Sequence, residues 1–247
     1  MFHLSGPPCT LADGDAVLFD AAGTLIEPIE PVGQTYAGVA GQFGTTLDPP
    51  MLARAFGEVF SSMPAMAFNA NSMDELRRLE RDWWRTLVMG VLDRTGNAVD
   101  EFDAFFERLY AHYAQGDAWR IYPDVDPALR ELRARGCQLA VVSNFDSRLP
   151  GILNALGLAE RFDTVVYSTK AGSAKPGGSI FRQALDILGV TAERAVHVGN
   201  SLDADYRGAV DAGLTGLLIN RDGYASDVPA YQISSLDALL IACRQKN

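Results

Sequence analysis

The stretch FDAAGTLIEP, residues 19–28, decides how this chain is read. It starts at the end of AVLF (16–19), a continuous apolar run of the kind that forms a strand buried on both faces. An acid, Asp20, follows at once, and Gly23 and Thr24 then turn the chain. Comparable apolar runs recur at LAVV (139–142), TVVY (164–167), AVHV (195–198) and TGLLI (215–219). Helical segments separate them. In DVDPALRELRARG (124–136), Asp126 can cap, Pro127 suits the first turn and Gly136 stops the helix. The next three helical segments stop at Gly157, Gly189 and Gly213. Strand and helix in alternation, without hairpin signals, predict an α/β fold with a doubly wound parallel sheet.

Between about 30 and 116 the alternation vanishes. Leu76, Leu79, Trp83, Leu87 and Val91 fall three or four apart, as one face of a long helix, and Phe102, Phe105, Leu109 and Tyr113 do the same in the next. Earlier helices are expected near 32–43 and 51–62, with SSMPAMAFNANSM (61–73) as a loop. The expected organisation is an α/β core over 1–27 and 117–247, interrupted by a helical cap over 28–116.

Bulk composition narrows the function classes. The chain has 247 residues, 48% of them hydrophobic, so it is long enough for a sizeable core. A formal charge of −10 disfavours nucleic acid and anionic lipid, so an anionic substrate must be captured by local positive groups. Only three lysines are present: Lys170, Lys175 and Lys246. Cys9, Cys137 and Cys243 are odd in number and far apart, and read as free thiols in a reducing compartment. MFHLSGPPCT lacks a basic region and a long apolar run, and no stretch is long and apolar enough to span a bilayer. A cytoplasmic protein is expected; its oligomeric state cannot be read.

In an open parallel sheet, functional groups gather beyond the carboxyl ends of the strands. The residues that come after the apolar runs are Asp20; Ser143 and Asn144; a loop leading to Lys175; and Gly199, Asn200, Ser201, Asp203 and Asp205. That set suits phosphoryl transfer. A carboxylate can carry the group covalently, a hydroxyl and a lysine can hold its oxygens, and paired oxygen donors can hold Mg²⁺.

On these motifs the chain resembles the haloacid dehalogenase-like (HAD) hydrolases with a helical cap inserted after the first motif. FDAAGTL is similar to their nucleophile motif, LAVVSN to the second, AKPGGSIF to the third and HVGNSLDADYRGAVDAG to the fourth. SNFDSRLPGILNALGL and ERDWWRTLV look like one branch of that superfamily. The resemblance implies Asp20 as nucleophile and metal ligand, the Ala22 carbonyl as a second ligand, and Gly23 and Thr24 as loop-shaping residues beside the substrate. It further implies Ser143, Asn144 and Lys175 around the phosphoryl group, with Asn200 and Asp205 toward Mg²⁺. The implied substrate is a small phosphorylated metabolite.

Two departures stand out. Ala22 replaces the family's usual second acid, which protonates the leaving group and activates water, help worth about 10²–10⁴ in rate. Asn200 replaces an aspartate and removes a negative charge from the metal site. Phosphonoacetaldehyde hydrolases also carry alanine at the first position but need a cap lysine, and residues 28–116 contain none. A metal-independent 2-haloacid dehalogenase is a minor alternative, although Phe181 stands where those enzymes have tyrosine. A non-catalytic or barely catalytic binding protein is the other. Plainer roles are expected elsewhere: capping for Asp203, bundle core for Trp83 and Trp84, with cap–core contact second. His197 is expected to be a buried structural histidine, and Arg77, Arg78, Arg81 and Arg85 a solvated helix face. His3 and His112 have no assignable partner.

Overall fold

The structure is a computed structural model and describes residues 9–221 and 230–245; His3 and Lys246 lie outside them. Six parallel strands form the central sheet: β2 (Ala16–Phe19), β5 (Gln138–Ser143), β6 (Thr164–Tyr167), β7 (Ala195–Gly199), β8 (Thr215–Ile219) and β9 (Gln232–Ile233). Their order is β6-β5-β2-β7-β8-β9, so the strand that delivers Asp20 lies inside the sheet, between β5 and β7. The doubly wound α/β expectation holds. All five expected strands form.

Alternation along the strands sends side chains to two separate layers. Val17 and Phe19 of β2, with Val141 and Val198, face one apolar layer that includes α5 (Val125–Ala134), α6 (Leu149–Ala155) and α10 (Leu236–Ala242). Leu18, Ala140 and Val142 face the other, covered by α8 (Gly178–Leu188) and α9 (Gly208–Asp211). A single helical turn, α7 (Ser168–Ala171), follows β6.

Four helices occupy the stretch after β2: α1 (Val32–Gly41), α2 (Pro49–Ser62), α3 (Met73–Thr95) and α4 (Phe102–His112). They enclose their own apolar centre around Tyr36, Leu52, Val91, Phe105 and Leu109. Helix α3 is bounded as its sequence dictates. The Ser72 hydroxyl accepts from the Glu75 N–H, and Gly96 closes the helix at φ +66°. The connection before α3 is loop, as expected.

Three pairings of short strands carry no local signal. β3 (Ile26–Pro28) runs antiparallel to β4 (Trp119–Ile121), so both passages between the sheet and the four helices lie side by side. β9 adds two residues to the sheet edge. β1 (Cys9–Leu11) pairs in parallel with β10 (Cys243–Gln245), placing the backbones of Cys9 and Cys243 in register. This pairing bears on the cysteine expectation. Cys137 is a free, buried thiol, but Cys243 is disulfide-bonded. The non-local pairing of two end strands, invisible in cysteine spacing, overturns the free-thiol reading of Cys243. No helix among the described residues is long and apolar enough to cross a membrane.

Two capping expectations also change. Helix α5 begins after Asp124, not Asp126, and Asp124 instead accepts from Arg221 and from the Leu236 N–H. Asp126 is left to pair with Arg130 and Arg161. After β7 the chain forms a π-helical turn over Leu202–Arg207, capped by Ser201 and not by Asp203, which pairs with Arg207 on the surface.

Candidate active site

Asp20 leaves β2 at the carboxyl edge of the sheet, and Ser143, Lys175 and Asp205 arrive there from the strands on either side. Lys175 is 4% exposed, and its ammonium group is the hub. It donates to Asp20 Oδ1 at 2.7 Å, to Asp205 Oδ1 at 2.5 Å and to the Val142 carbonyl at 2.7 Å. A lysine buried with two carboxylates and a carbonyl is held by its donors, not merely neutralised. Its pKa reflects this. Burial pulls the ammonium down, but Asp20 and Asp205 together raise it above the ordinary lysine value.

The two carboxylates share that charge unequally. Burial pushes Asp205 up, yet Lys175 and then the His197 hydrogen bond outweigh it and hold the carboxyl well below the usual range. Asp20 is raised: burial dominates, Lys175 offsets part of it, and the nearby negative charge of Asp205 adds to it. The Ser143 hydroxyl lies beside Asp20 and favours its ionised form.

Asp205 is fixed from every side. Oδ1 also meets His197 Nε2 at 3.0 Å, and Oδ2 accepts the Ser201 N–H at 2.8 Å. The π-helical turn makes this possible, with the Asp205 and Tyr206 N–H groups both donating to the Ser201 carbonyl. Gly199 is obligatory beneath it: a Cβ there would stand 2.1 Å from Asp205 Cγ. His197 is buried, as expected, and burial keeps its imidazole neutral. The geometry therefore makes Nε2 the protonated nitrogen, donating to Asp205. Its Nδ1 is buried without a hydrogen-bond partner among the described residues. The histidine thus supports the site from below, a role its strand register hid.

Asn144 does a different job from the one expected. Its side-chain oxygen accepts the Lys175 N–H and its amide donates to the Lys175 carbonyl, at 2.8 and 2.9 Å. The side chain is spent on placing the lysine. Thr24 is fully buried, but its hydroxyl has no partner among the described residues; the loop is braced through its carbonyl, which accepts from Arg221 Nε and Nη2. Arg221 also grips Asp124 and lies 3.7 Å over the Tyr122 ring. Nothing in the sequence pattern singles it out. Gly23 has φ +80°, and a Cβ on it would meet Asn200 Nδ2 at 2.3 Å, so the glycine both turns the loop and admits exposed Asn200 beside it.

A second polar cluster joins the four helices to this edge of the sheet. Glu80 of α3 is fully buried and accepts from the Ser147 N–H, the Ser147 hydroxyl and the Thr169 hydroxyl at 2.9, 2.5 and 2.5 Å. Trp84 Nε1 donates to Asp146 Oδ2 at 2.6 Å, and Asp146 also holds Arg148. Trp83 packs within the helices and donates to the Pro64 carbonyl. The two tryptophans therefore divide the two roles expected of the pair. ERDWWRTLV and SNFDSRL are thus two halves of one contact. A signal for Glu80 did exist, since it falls four after Leu76 and three before Trp83 on the apolar stripe of α3.

This arrangement agrees with the comparisons to known proteins. A family profile described as haloacid dehalogenase-like hydrolase matches residues 15–213. The chain belongs to the haloacid dehalogenase-like hydrolases. It is 34% identical over 231 residues to haloacid dehalogenase-like hydrolase domain-containing protein 3 of Danio rerio, covering 90% of this chain and 93% of that one. It is 39% identical over 188 residues to a glyceraldehyde 3-phosphate phosphatase of Methanopyrus kandleri, covering 67% and 81%. A solved HAD phosphatase from Thermococcus onnurineus aligns with a TM-score of 0.62 and 27% identity, over 91% and 95% of the two chains. An L-2-haloacid dehalogenase aligns at a TM-score of 0.69 over 94% and 98%, but at 23% identity it speaks for the fold alone.

Proposed function

We propose that this hydrolase cleaves a small phosphate monoester through an aspartyl-phosphate on Asp20, with Mg²⁺ as cofactor. The observation that carries the reading is the Asp20–Lys175–Asp205 constellation: a nucleophilic carboxylate at the sheet edge, beside a buried ammonium that can neutralise the transferring group.

The oxygen donors present fit a hard cation. The Asp20 carboxylate, the Ala22 carbonyl and the Asn200 side-chain oxygen would hold Mg²⁺; among the described residues no backbone N–H outside regular helices and strands donates to the Ala22 carbonyl. Asp205 would contribute charge more than a ligand, since both its oxygens already accept hydrogen bonds. Among the described residues no group of three or more His, Cys, Asp or Glu side chains is placed to hold a metal. The donor set is therefore weaker in charge than an acid-rich one. When bound, Mg²⁺ supplies positive charge against the charge that develops on the phosphoryl oxygens.

The remaining steps belong to the protein. Asp20 attacks phosphorus, Lys175 stabilises the charge, and the Ser143 hydroxyl orients a phosphoryl oxygen. Ala22 offers no proton to the leaving group and no base to the water that resolves the intermediate, so resolution is slow. The test is rapid mixing with Mg²⁺ and a panel of phosphate esters: a stoichiometric burst followed by a slow steady state is expected. Absence of both burst and turnover, with ligand binding intact, would leave a non-catalytic binding protein. Metal-independent halide release from a 2-haloacid would instead establish a dehalogenase.

A further inference from the structure

Between the four helices and the sheet lies a cavity of about 220 Å³. Ala22 and Asn144 are in its lining, so it adjoins both the nucleophile loop and the end of β5 beside Ser143. Its walls are largely rings, among them Tyr36, Phe56, Trp84, Phe106, Trp119 and Phe145. A cavity of ~150 Å³ lined by apolar side chains admits benzene, so this one has room for a substituted ring.

What the lining lacks is equally informative. Arg148 is its charged member among the described residues, and its nitrogens are engaged: Nε and Nη2 by Asp146, Nη1 by the Tyr110 carbonyl. The Asn144 amide is committed to Lys175. A second anionic group would enter without a free cationic partner among the described residues and be disfavoured, and the Tyr113 hydroxyl, buried without a hydrogen-bond partner among them, could serve a single polar substituent but not a polyol. The lining also holds no carboxyl group among the described residues, so the usual general acid for a leaving oxygen is missing from it. The phenols of Tyr36, Tyr110 and Tyr113 are all pushed up by burial, Tyr110 to about 12. Without a carboxylic acid to protonate it, the group that leaves most readily into this space is one that is stable as an anion. A phenol ionises near ~10, whereas water, which aliphatic alcohols resemble, ionises near ~16.

We propose that the cavity receives the aromatic ring of an aryl phosphate monoester, an assignment that rests on the phosphoryl-transfer reading above. Alanine at position 22 then costs little in the first transfer, because this leaving group needs no acid, while hydrolysis of the aspartyl-phosphate stays slow. The Asp20 carboxylate forms a bond to phosphorus as the P–O(aryl) bond breaks. The phenolate leaves with the electron pair and takes its proton from water, and water later releases inorganic phosphate from Asp20.

Two measurements test this. With Mg²⁺, kcat/KM for phenyl phosphate should exceed that for glycerol 3-phosphate by about 100-fold, the scale of burying a Phe-sized ring. Calorimetry on Asp20→Asn, which removes the chemistry, should show phenyl phosphate binding at least ~10-fold tighter than glycerol 3-phosphate. Ala22→Asp should shrink the kinetic ratio by accelerating the alkyl ester selectively. A burst from both esters with equal kcat/KM and equal binding overturns the aryl assignment and leaves phosphoryl transfer standing. No burst from either ester or from acetyl phosphate overturns phosphoryl transfer, and the aryl assignment falls with it.

Discussion

Replacing Glu80 by alanine should loosen the four helices from the sheet at a cost that can be worked out in advance. The side chain has no solvent exposure and accepts three hydrogen bonds, two from Ser147 and one from Thr169. Alanine leaves those donors facing a void. Each buried donor left unsatisfied costs about 1–3 kcal/mol. The two hydroxyls can rotate toward other acceptors, but the Ser147 N–H cannot. The expected loss is therefore roughly 3–5 kcal/mol, a large part of the ~5–15 kcal/mol that holds a typical domain folded. Glu80→Gln preserves shape and one acceptor but sets an NH₂ group against a donor, and should cost about half as much. Urea denaturation followed by circular dichroism measures both, with the m-value checked for constancy. A double-mutant cycle with Thr169→Val should give a coupling of about 1–2 kcal/mol. A loss under about 1 kcal/mol for the alanine variant, or strict additivity in the cycle, would refute the reasoning.

Lys175→Met should abolish the burst and destabilise the fold by about 3–5 kcal/mol, because it leaves two buried carboxylates without their shared cation; stopped-flow and denaturation measure the two effects. Asn144→Ala removes both hydrogen bonds that set the Lys175 backbone, and should cost about 2 kcal/mol together with a slower burst at unchanged ester affinity. The acids give a pH test with opposite signs. Asp205, held low, contributes stability that is present above its unfolded-state value and is lost as pH falls through its folded value. Asp20, raised above 3.8, works the other way: its native form is favoured in acid, and that contribution is lost as pH rises through the folded value. Asp20→Asn should therefore gain stability over the wild type as pH climbs from about 4 to 7, by roughly 0.5–2 kcal/mol at the end; a constant difference across that range would contradict the burial argument.

The sheet was legible because each central strand is covered on both faces and must be apolar throughout. AVLF, LAVV and AVHV announce themselves for that reason, and Asp20, Ser143 and Asp205 stand a short way past their carboxyl ends. Short pairs fare worse. IEP and WRI are three residues each, and what joins them is ninety residues of intervening chain returning to its start. The cysteine reading failed for the same cause: register between the two end strands is a property of the folded chain. Buried acids were the other blind spot. Glu80 lies on an otherwise apolar stripe and Asp146 just past a strand, and donors from remote residues, Ser147 and Thr169 for Glu80 and Trp84 for Asp146, help make their burial tolerable. His197 and Asn144 were located correctly, but their partners lie eight and thirty-one residues away, so what they do depended on geometry.

The ribbon formed by Ile26–Pro28 and Trp119–Ile121 has an architectural consequence. A segment that leaves and returns through one doorway places no constraint of length on the rest of the chain. Whatever lies between Pro28 and Trp119 can grow, shrink or be exchanged while the doorposts stay hydrogen-bonded to each other. Asp20, only eight residues before that threshold, would not have to move. The proposed nucleophile is thus insulated from the helices that wall the neighbouring cavity, and the lining of that cavity can change without redesigning the sheet edge beneath it.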